Sequence, residues 1–370
     1  GNTGNLSNIE ISDNFIHGMA KKQSTLRSTS WGILTDAKPG GAAINTLSGL
    51  HIHGNHIFDL GGYNDSIGLG ISLHEVNSEN ESGGALIENN RFSNIHDGIW
   101  YIAGVPIPTP GMGVFSHEQS LSYTNDYQGG VTLQNNQYDS ISVGATLQLS
   151  DGGLFDEDNT DFQNVDVYLI NVGATVSVDE NSLAPFARTD GTNLTLSTGT
   201  STAYFASPSA AVLHTLTGSQ STSHNIELSS GMFDETLTIA PSSQIENLHI
   251  TALESSQPVF TGGVFLQSNY LMDNISIEGL LLQGEATNGS AITVDSLGGI
   301  SNFAIRDMVI EGEGNSRSGI SASGLRGNIE ITDNYFYDLD GDYVFTSTPV
   351  GNDPSAGQIT SLEFSGNPIE

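Results

Sequence analysis

A nine-residue phrase, Asn8-Ile-Glu-Ile-Ser-Asp-Asn-Phe-Ile, returns near the other end of the chain as Asn328-Ile-Glu-Ile-Thr-Asp-Asn-Tyr-Phe. The shared template is apolar, any, apolar, any, any, Asn, any, apolar. Ile9, Ile11, Asn14 and Ile16 match it, as do Leu50, Ile52, Asn55 and Ile57, then Ala85, Ile87, Asn90 and Phe92, then Val131, Leu133, Asn136 and Tyr138. It comes back at Ile329, Ile331, Asn334 and Phe336 and at Leu362, Phe364, Asn367 and Ile369. A second set keeps the strand and puts an apolar residue in place of Asn: Leu248, Ile250, Leu253; Ile275, Ile277, Leu280; Phe303, Ile305, Met308.

Steps between equivalent positions are 27 (253 to 280), 28 (280 to 308) and 26 (308 to 334), and reach 35 (55 to 90), 41 (14 to 55) and 46 (90 to 136) where loops intervene. A step of this size is the mark of a repeat array in which each unit buries its face only against the next. Alternation with period two predicts strands, and the Gly, Asn and Asp at their ends predict turns. Equivalent strands would then lie roughly 4.8 Å apart, stacking their apolar positions into columns. A recurrent inward Asn at one turn would form an amide ladder that satisfies the bent backbone there; Asn14, Asn55, Asn90, Asn136, Asn334 and Asn367 are its expected members.

These phrases resemble the right-handed parallel β-helix of the pectin-lyase-like superfamily, and most closely its bacterial surface adhesin, fibre and autotransporter-passenger segments. The resemblance implies an all-β solenoid outside the cell. Residues 225–239, with a strand, a Gly turn and an acidic residue before a second strand, are similar to an opening coil of that fold. The expected organisation is therefore two partial β-helical units joined by a less regular segment: later coils over 1–190, a Ser/Thr-rich junction over 191–222, and early coils over 223–370. Order repeats along with wording, since Ile329 follows Ile9 by 320 residues and Leu362 follows Leu50 by 312. A chain covering more than one period of a tandem unit would leave strand edges open at both ends, ready to continue the stack.

Charge excludes several partners. Nine Lys and Arg against 42 Asp and Glu leave a formal net charge of -33, which repels nucleic acid and anionic membrane surfaces. No run approaches the roughly 20 apolar residues of a membrane helix. The absence of cysteine removes disulfides and thiolate metal sites.

The superfamily resemblance also implies chemistry that the residues must carry. Its galacturonase-like members use an Asn-Thr-Asp element, an Asp pair, a Gly-His-Gly and an Arg-x-Lys, because inverting hydrolysis needs an acid, a base and a cationic clamp. Asn159-Thr160-Asp161 is present and the other three elements are absent. Its lyases use Arg or Lys as base, yet Arg91 and Arg306 fall at outward positions of their coils. No catalytic residue is assigned, and polysaccharide cleavage stands as the alternative to a structural role.

Three weaker candidates remain. Asp156, Asp158 and Asp161, and Asp338, Asp340 and Asp342, put hard oxygen ligands on short turns, and calcium bound there would relieve self-repulsion. His51 and His53 share a strand face, with Glu10 beside His51, and Ser12 and Glu88 flanking His53, which suggests a divalent metal or plain surface histidines. The insertion over residues 100–115 carries Trp100 and Tyr101 as a surface for a glycan or a neighbouring chain, with Pro106, Pro108 and Pro110 holding it extended. Together these readings give a structural or adhesive segment of a secreted fibre that stacks on neighbouring copies, end to end and laterally, with glycans as further partners.

Overall fold

The computed structural model describes residues 6–18, 29–36, 47–62, 66–74, 84–102, 105–117, 130–148, 152–173, 176–190, 201–218, 223–284, 289–312, 318–341, 343–348 and 359–370. Each repeated phrase folds into a short strand, a sharp corner and a second strand. The residue just before every ladder asparagine has a left-handed backbone: Asp13 (φ 57), Gly54 (φ 65), Asn89 (φ 54), Asn135 (φ 54), Asp333 (φ 59) and Gly366 (φ 65). Only Gly, Asn and Asp visit that region readily, so the composition of this one position makes the corner. At Gly54 the requirement is doubled, because a Cβ there would stand 2.5 Å from Asp13 Oδ1 of the preceding rung.

The chain divides into two compact units, 1–183 with 194–203, and 184–193 with 204–370. Both are almost entirely β, built from long parallel sheets. In the first unit one sheet runs through Leu6–Ser12, Leu47–His53, Ala85–Glu88, Val131–Gln134, Gly153–Asp156 and Val176–Val178. Past the corner, Phe15–His17, His56–Leu60, Arg91–Ile95 and Gln137–Gln148 pair in the same order. Thr29–Asp36, Ile67–His74 and Met112–His117 make a third parallel run that also joins Gln137–Gln148. Equivalent positions of the phrase meet: Ile11, Ile52, Ile87, Leu133 and Phe155 form one column, buried from Ile52 onward. The next column stacks rings, Phe92 on Tyr138 at 5.2 Å and Tyr138 on Phe162 at 4.7 Å.

The second unit repeats the plan. Ile226, Ile250, Ile277, Ile305, Ile331 and Phe364 pair in sequence, one per rung. The first five are fully buried, each worth about 2 kcal/mol of transfer free energy, while Phe364 at the last rung is 41% exposed.

The start of this unit is covered. Ala187–Asp190 runs antiparallel to His224–Leu228, with the Arg188 guanidinium 2.5 Å from the Glu227 carboxylate, which brings residues assigned by sequence to the first unit into the second. Part of the expected junction is also ordered: Ser201–Phe205 is a strand and Pro208–Gly218 a helix packed on Ala187–Asp190, His224–Leu228 and Leu237–Ile239. Proline in the first turn and glycine at the end suit a helix. Glu235 receives Ser207 Oγ (2.8 Å) and Ser209 N (3.2 Å), setting a carboxylate against the positive helix terminus.

The insertion is a two-stranded antiparallel ribbon, Gly98–Ile102 against Val105–Thr109, with Pro106 opposite Tyr101 and Pro108 opposite Ile99. A ribbon two strands wide tolerates prolines that a central strand would not. The side chains of Trp100 and Tyr101 lie outside the described residues. Met112–His117, read from sequence as part of the same loop, is instead a sheet strand with Met112, Val114 and Phe115 buried.

Candidate functional site

The asparagine ladder links successive rungs through buried amides. Asn14 donates to Asn55 Oδ1 from its backbone N (3.0 Å) and its Nδ2 (2.9 Å). Asn55 repeats this onto Asn90 (3.1 and 2.9 Å), and Asn90 onto Asn136 (3.0 and 3.0 Å). From Asn55 onward each amide also reaches back to a carbonyl of the rung before, as Asn90 Nδ2 does to Ile52 O (2.9 Å). Buried amides of this kind hold only because every donor and acceptor is met.

Glu157 closes the ladder of the first unit. Its carboxyl takes Asn136 N (2.8 Å), Asn136 Nδ2 (2.7 Å) and the Tyr138 hydroxyl (3.2 Å), the contacts an asparagine would otherwise supply. Glu157 is 1% exposed, and burial pushes its carboxyl up to about 8 against the lowering effect of those three donors. Burial and the neighbouring carboxyl raise the Tyr138 phenol as well. Sequence reasoning passed over Glu157 because nothing in the template asks for an acid there. The signal was the match of Leu133 to Phe155, which brings the following acidic turn level with Asn136.

In the second unit the ladder begins with sulfur. Leu280 N donates to Met308 Sδ (3.4 Å), Met308 N to Asn334 Oδ1 (3.0 Å), and Asn334 N and Nδ2 to Asn367 Oδ1 (2.9 and 3.1 Å). The apolar residue standing in for Asn is therefore still an acceptor, although a weak one. At the two outer rungs the pattern stops in opposite senses. Asn14 Oδ1 accepts no hydrogen bond, and Asn367 N donates none, among the described residues.

The histidine pair has the expected register, Glu10 beside His51 and Ser12 beside His53, but bonds diagonally. His53 Nε2 lies 2.9 Å from Glu10 and His51 Nε2 lies 2.8 Å from Glu88. Bonding to His53 lowers the Glu10 carboxyl; bonding to Gln134, then to His51, lowers that of Glu88. Each imidazole is thus committed to its own carboxylate. Arg306, outward as expected, is likewise held at 2.6 Å by both Glu278 and Glu330.

The acidic turn at Asp158 and Asp161 is held by hydrogen bonds of its own. Asp158 accepts Thr160 N (2.9 Å) and Asp161 accepts Asp158 N (3.3 Å), a reciprocal cap on the single turn Asn159–Asp161. Asp338 and Asp340 sit on an open turn, and Asp342 lies outside the described residues. Among the described residues no three His, Asp or Glu side chains are grouped so as to hold a metal ion.

One concavity went unforeseen. An open groove of about 460 Å³ is lined by His96, Asp97, Ser140, Ser142, Asn164 and Asp166, contributed by three successive rungs. Asp97 Oδ1 accepts Gly111 N (2.7 Å) and Ser142 Oγ (2.7 Å), tying down the foot of the ribbon. Burial, then the charge of Asp97, raises the Asp166 carboxyl. No protein-family model, curated protein or solved structure matches this chain.

Proposed function

We propose that the chain is a segment of a right-handed parallel β-helix whose role is structural, a stiff element of a secreted or cell-surface fibre. The observation that supports this reading is that, within each unit, parallel strands stack rung on rung with aligned apolar columns and a ladder of buried amides. Stacked strands and ladders resist bending and shear because each interior rung is bonded to the rungs on both sides of it. With a formal charge of -33, neighbouring rods repel unless ions screen them; calcium would enter as such a counter-ion between rods.

The test is the denatured mass and the shape of the native polypeptide from its source. Elongated particles with a mass many times 39.0 kDa are expected. Globular 39.0 kDa particles that turn over a glycan would overturn the reading.

The groove at the foot of the ribbon favours one alternative, a site for a neutral or cationic glycan on the same scaffold, bound or cleaved. Two carboxylates beside hydroxyl and amide groups suit hydroxyl-rich or amine-bearing ligands. A screen of neutral and amino-sugar oligosaccharides against the parent and Asp166→Asn decides it: binding that the substitution abolishes supports the site, and no binding by either removes it.

A further inference from the structure

One inward column of the second unit has an odd member. His224, Leu248, Ile275, Phe303 and Ile329 lie over one another in register, one per rung. Four are apolar and buried; the fifth, at the first of these rungs, is a histidine only 7% exposed. Its Nδ1 is buried and meets no hydrogen-bond partner among the described residues. This is the rung covered by Ala187–Asp190 and by the helix Pro208–Gly218, both of which pack on His224–Leu228. The helix carries a second imidazole, His214, whose ring lies 5.5 Å from that of Phe205. We infer that this cover is an acid-operated latch: protonation of His224, aided by His214, lifts the helix from the first rung of the second unit. The inference is independent of the structural role proposed above.

A neutral imidazole is tolerated in an apolar column. An imidazolium there brings a charge and a donor at Nδ1 that the Leu, Ile and Phe below it cannot receive, and opening the cover to water removes that penalty. The charged and titratable groups of the surrounding elements are engaged elsewhere. Arg188 is paired with Glu227, Glu235 holds Ser207 and Ser209 at the helix start, His249 is bonded to Ser276, and Tyr204 packs edge-on to Phe186. Asp190 and Glu246 are exposed. Burial alone lowers the His224 imidazole, and burial alone lowers that of His214, to about 4 from 6.5. With both lowered in the closed state, the open state binds more protons below 6.5, so opening is favoured as the pH falls. For His214 the span from 6.5 to 4 corresponds to ~300-fold in the opening equilibrium. Glu157, raised by burial, answers in the opposite sense, so acid tightens the closure of the first unit as it loosens that of the second.

Amide hydrogen exchange on the whole chain, corrected for the pH dependence of the intrinsic rate, reads local opening directly. Between about pH 6.5 and 4 the helix amides from Ala211 to Leu216 should lose protection about a hundredfold, while the rung amides of Ile277 and Ile305 keep theirs. His224→Leu gives the column the residue it has at Leu248 and should cut that loss at least about tenfold. His224→Gln, polar but never charged, should do the same and serves where leucine does not fold. Adding His214→Phe should flatten what remains, and His249→Gln, on the outward face, should leave the profile as in the parent. A helix equally protected at both ends of the range overturns the latch. So does equal loss in the parent and both His224 variants, which would assign the change to carboxylates such as Glu235. Loss at Ile277 and Ile305 together with the helix would be global unfolding and overturns a separately moving cover.

Discussion

The two ladders end differently. In the first unit Asn136 hands its donors to a buried carboxyl, Glu157; in the second, Asn367 N meets no acceptor among the described residues. An asparagine that ends a ladder leaves a donor unmet, because the amide both gives and receives. The Glu157 carboxyl meets the Asn136 donors and the Tyr138 hydroxyl without a further ladder asparagine, at the cost of a carboxyl held out of water. The covered start of the second unit, under Ala187–Asp190 and the helix Pro208–Gly218, makes the same contrast with its open last rung. Closure in this protein is local and built.

The largest test of that contrast is proton linkage at Glu157. Its carboxyl is raised in the folded state, to about 8 from 4.5, so its favourable contribution is complete below 4.5 and is lost as the pH climbs to 8. That difference corresponds to about 5 kcal/mol between the two ends of the range. Urea unfolding of the first unit from pH 4.5 to 8 should show the loss in the parent, and Glu157→Gln, whose amide oxygen can accept both Asn136 donors, should flatten it. Parallel pH profiles for the two proteins would mean that Glu157 closes the ladder as an ordinary carboxylate.

Asn90→Ala should cost about 3 kcal/mol, since it strands the donors of Asn55 and the carbonyl of Ile52 inside the unit. Asn367→Ala, at the open rung, should cost less than about 1 kcal/mol, because water replaces what is lost. Comparable losses in denaturant midpoint would erase the distinction between interior and open rungs. Met308→Leu removes the sulfur acceptor of Leu280 N at nearly constant volume and should cost about 1 kcal/mol. A value near that of Asn90→Ala would promote the sulfur to a full ladder member. The smallest effect is expected from Arg306→Gln, whose ion pairs are about one-third exposed; it should shift stability by less than about 1 kcal/mol and by less still at high salt.

Much of this architecture was open to reading because its causes are local. Alternating apolar residues make half-buried strands, and the Asp, Gly or Asn before each ladder asparagine admits the left-handed corner. Even the helix was announced by Ser207-Pro208 and Gly218, although the Ser- and Thr-rich stretch around it disguised the signal.

By itself, then, the sequence determined the parallel strands, their corners, their register and the membership of the asparagine ladder, since each depends on residues close together in the chain and on a period repeated many times. Tertiary structure alone decided how the ladder closes. Which acid faces Asn136, that His51 and His53 bond crosswise to Glu88 and Glu10, and that Asp97 and Asp166 share a groove depend on loop lengths between rungs. Those lengths bring together side chains separated by 21 to 69 positions (136 to 157; 97 to 166). No local pattern encodes such a meeting, because the distance is set by the stack and the energy by burial.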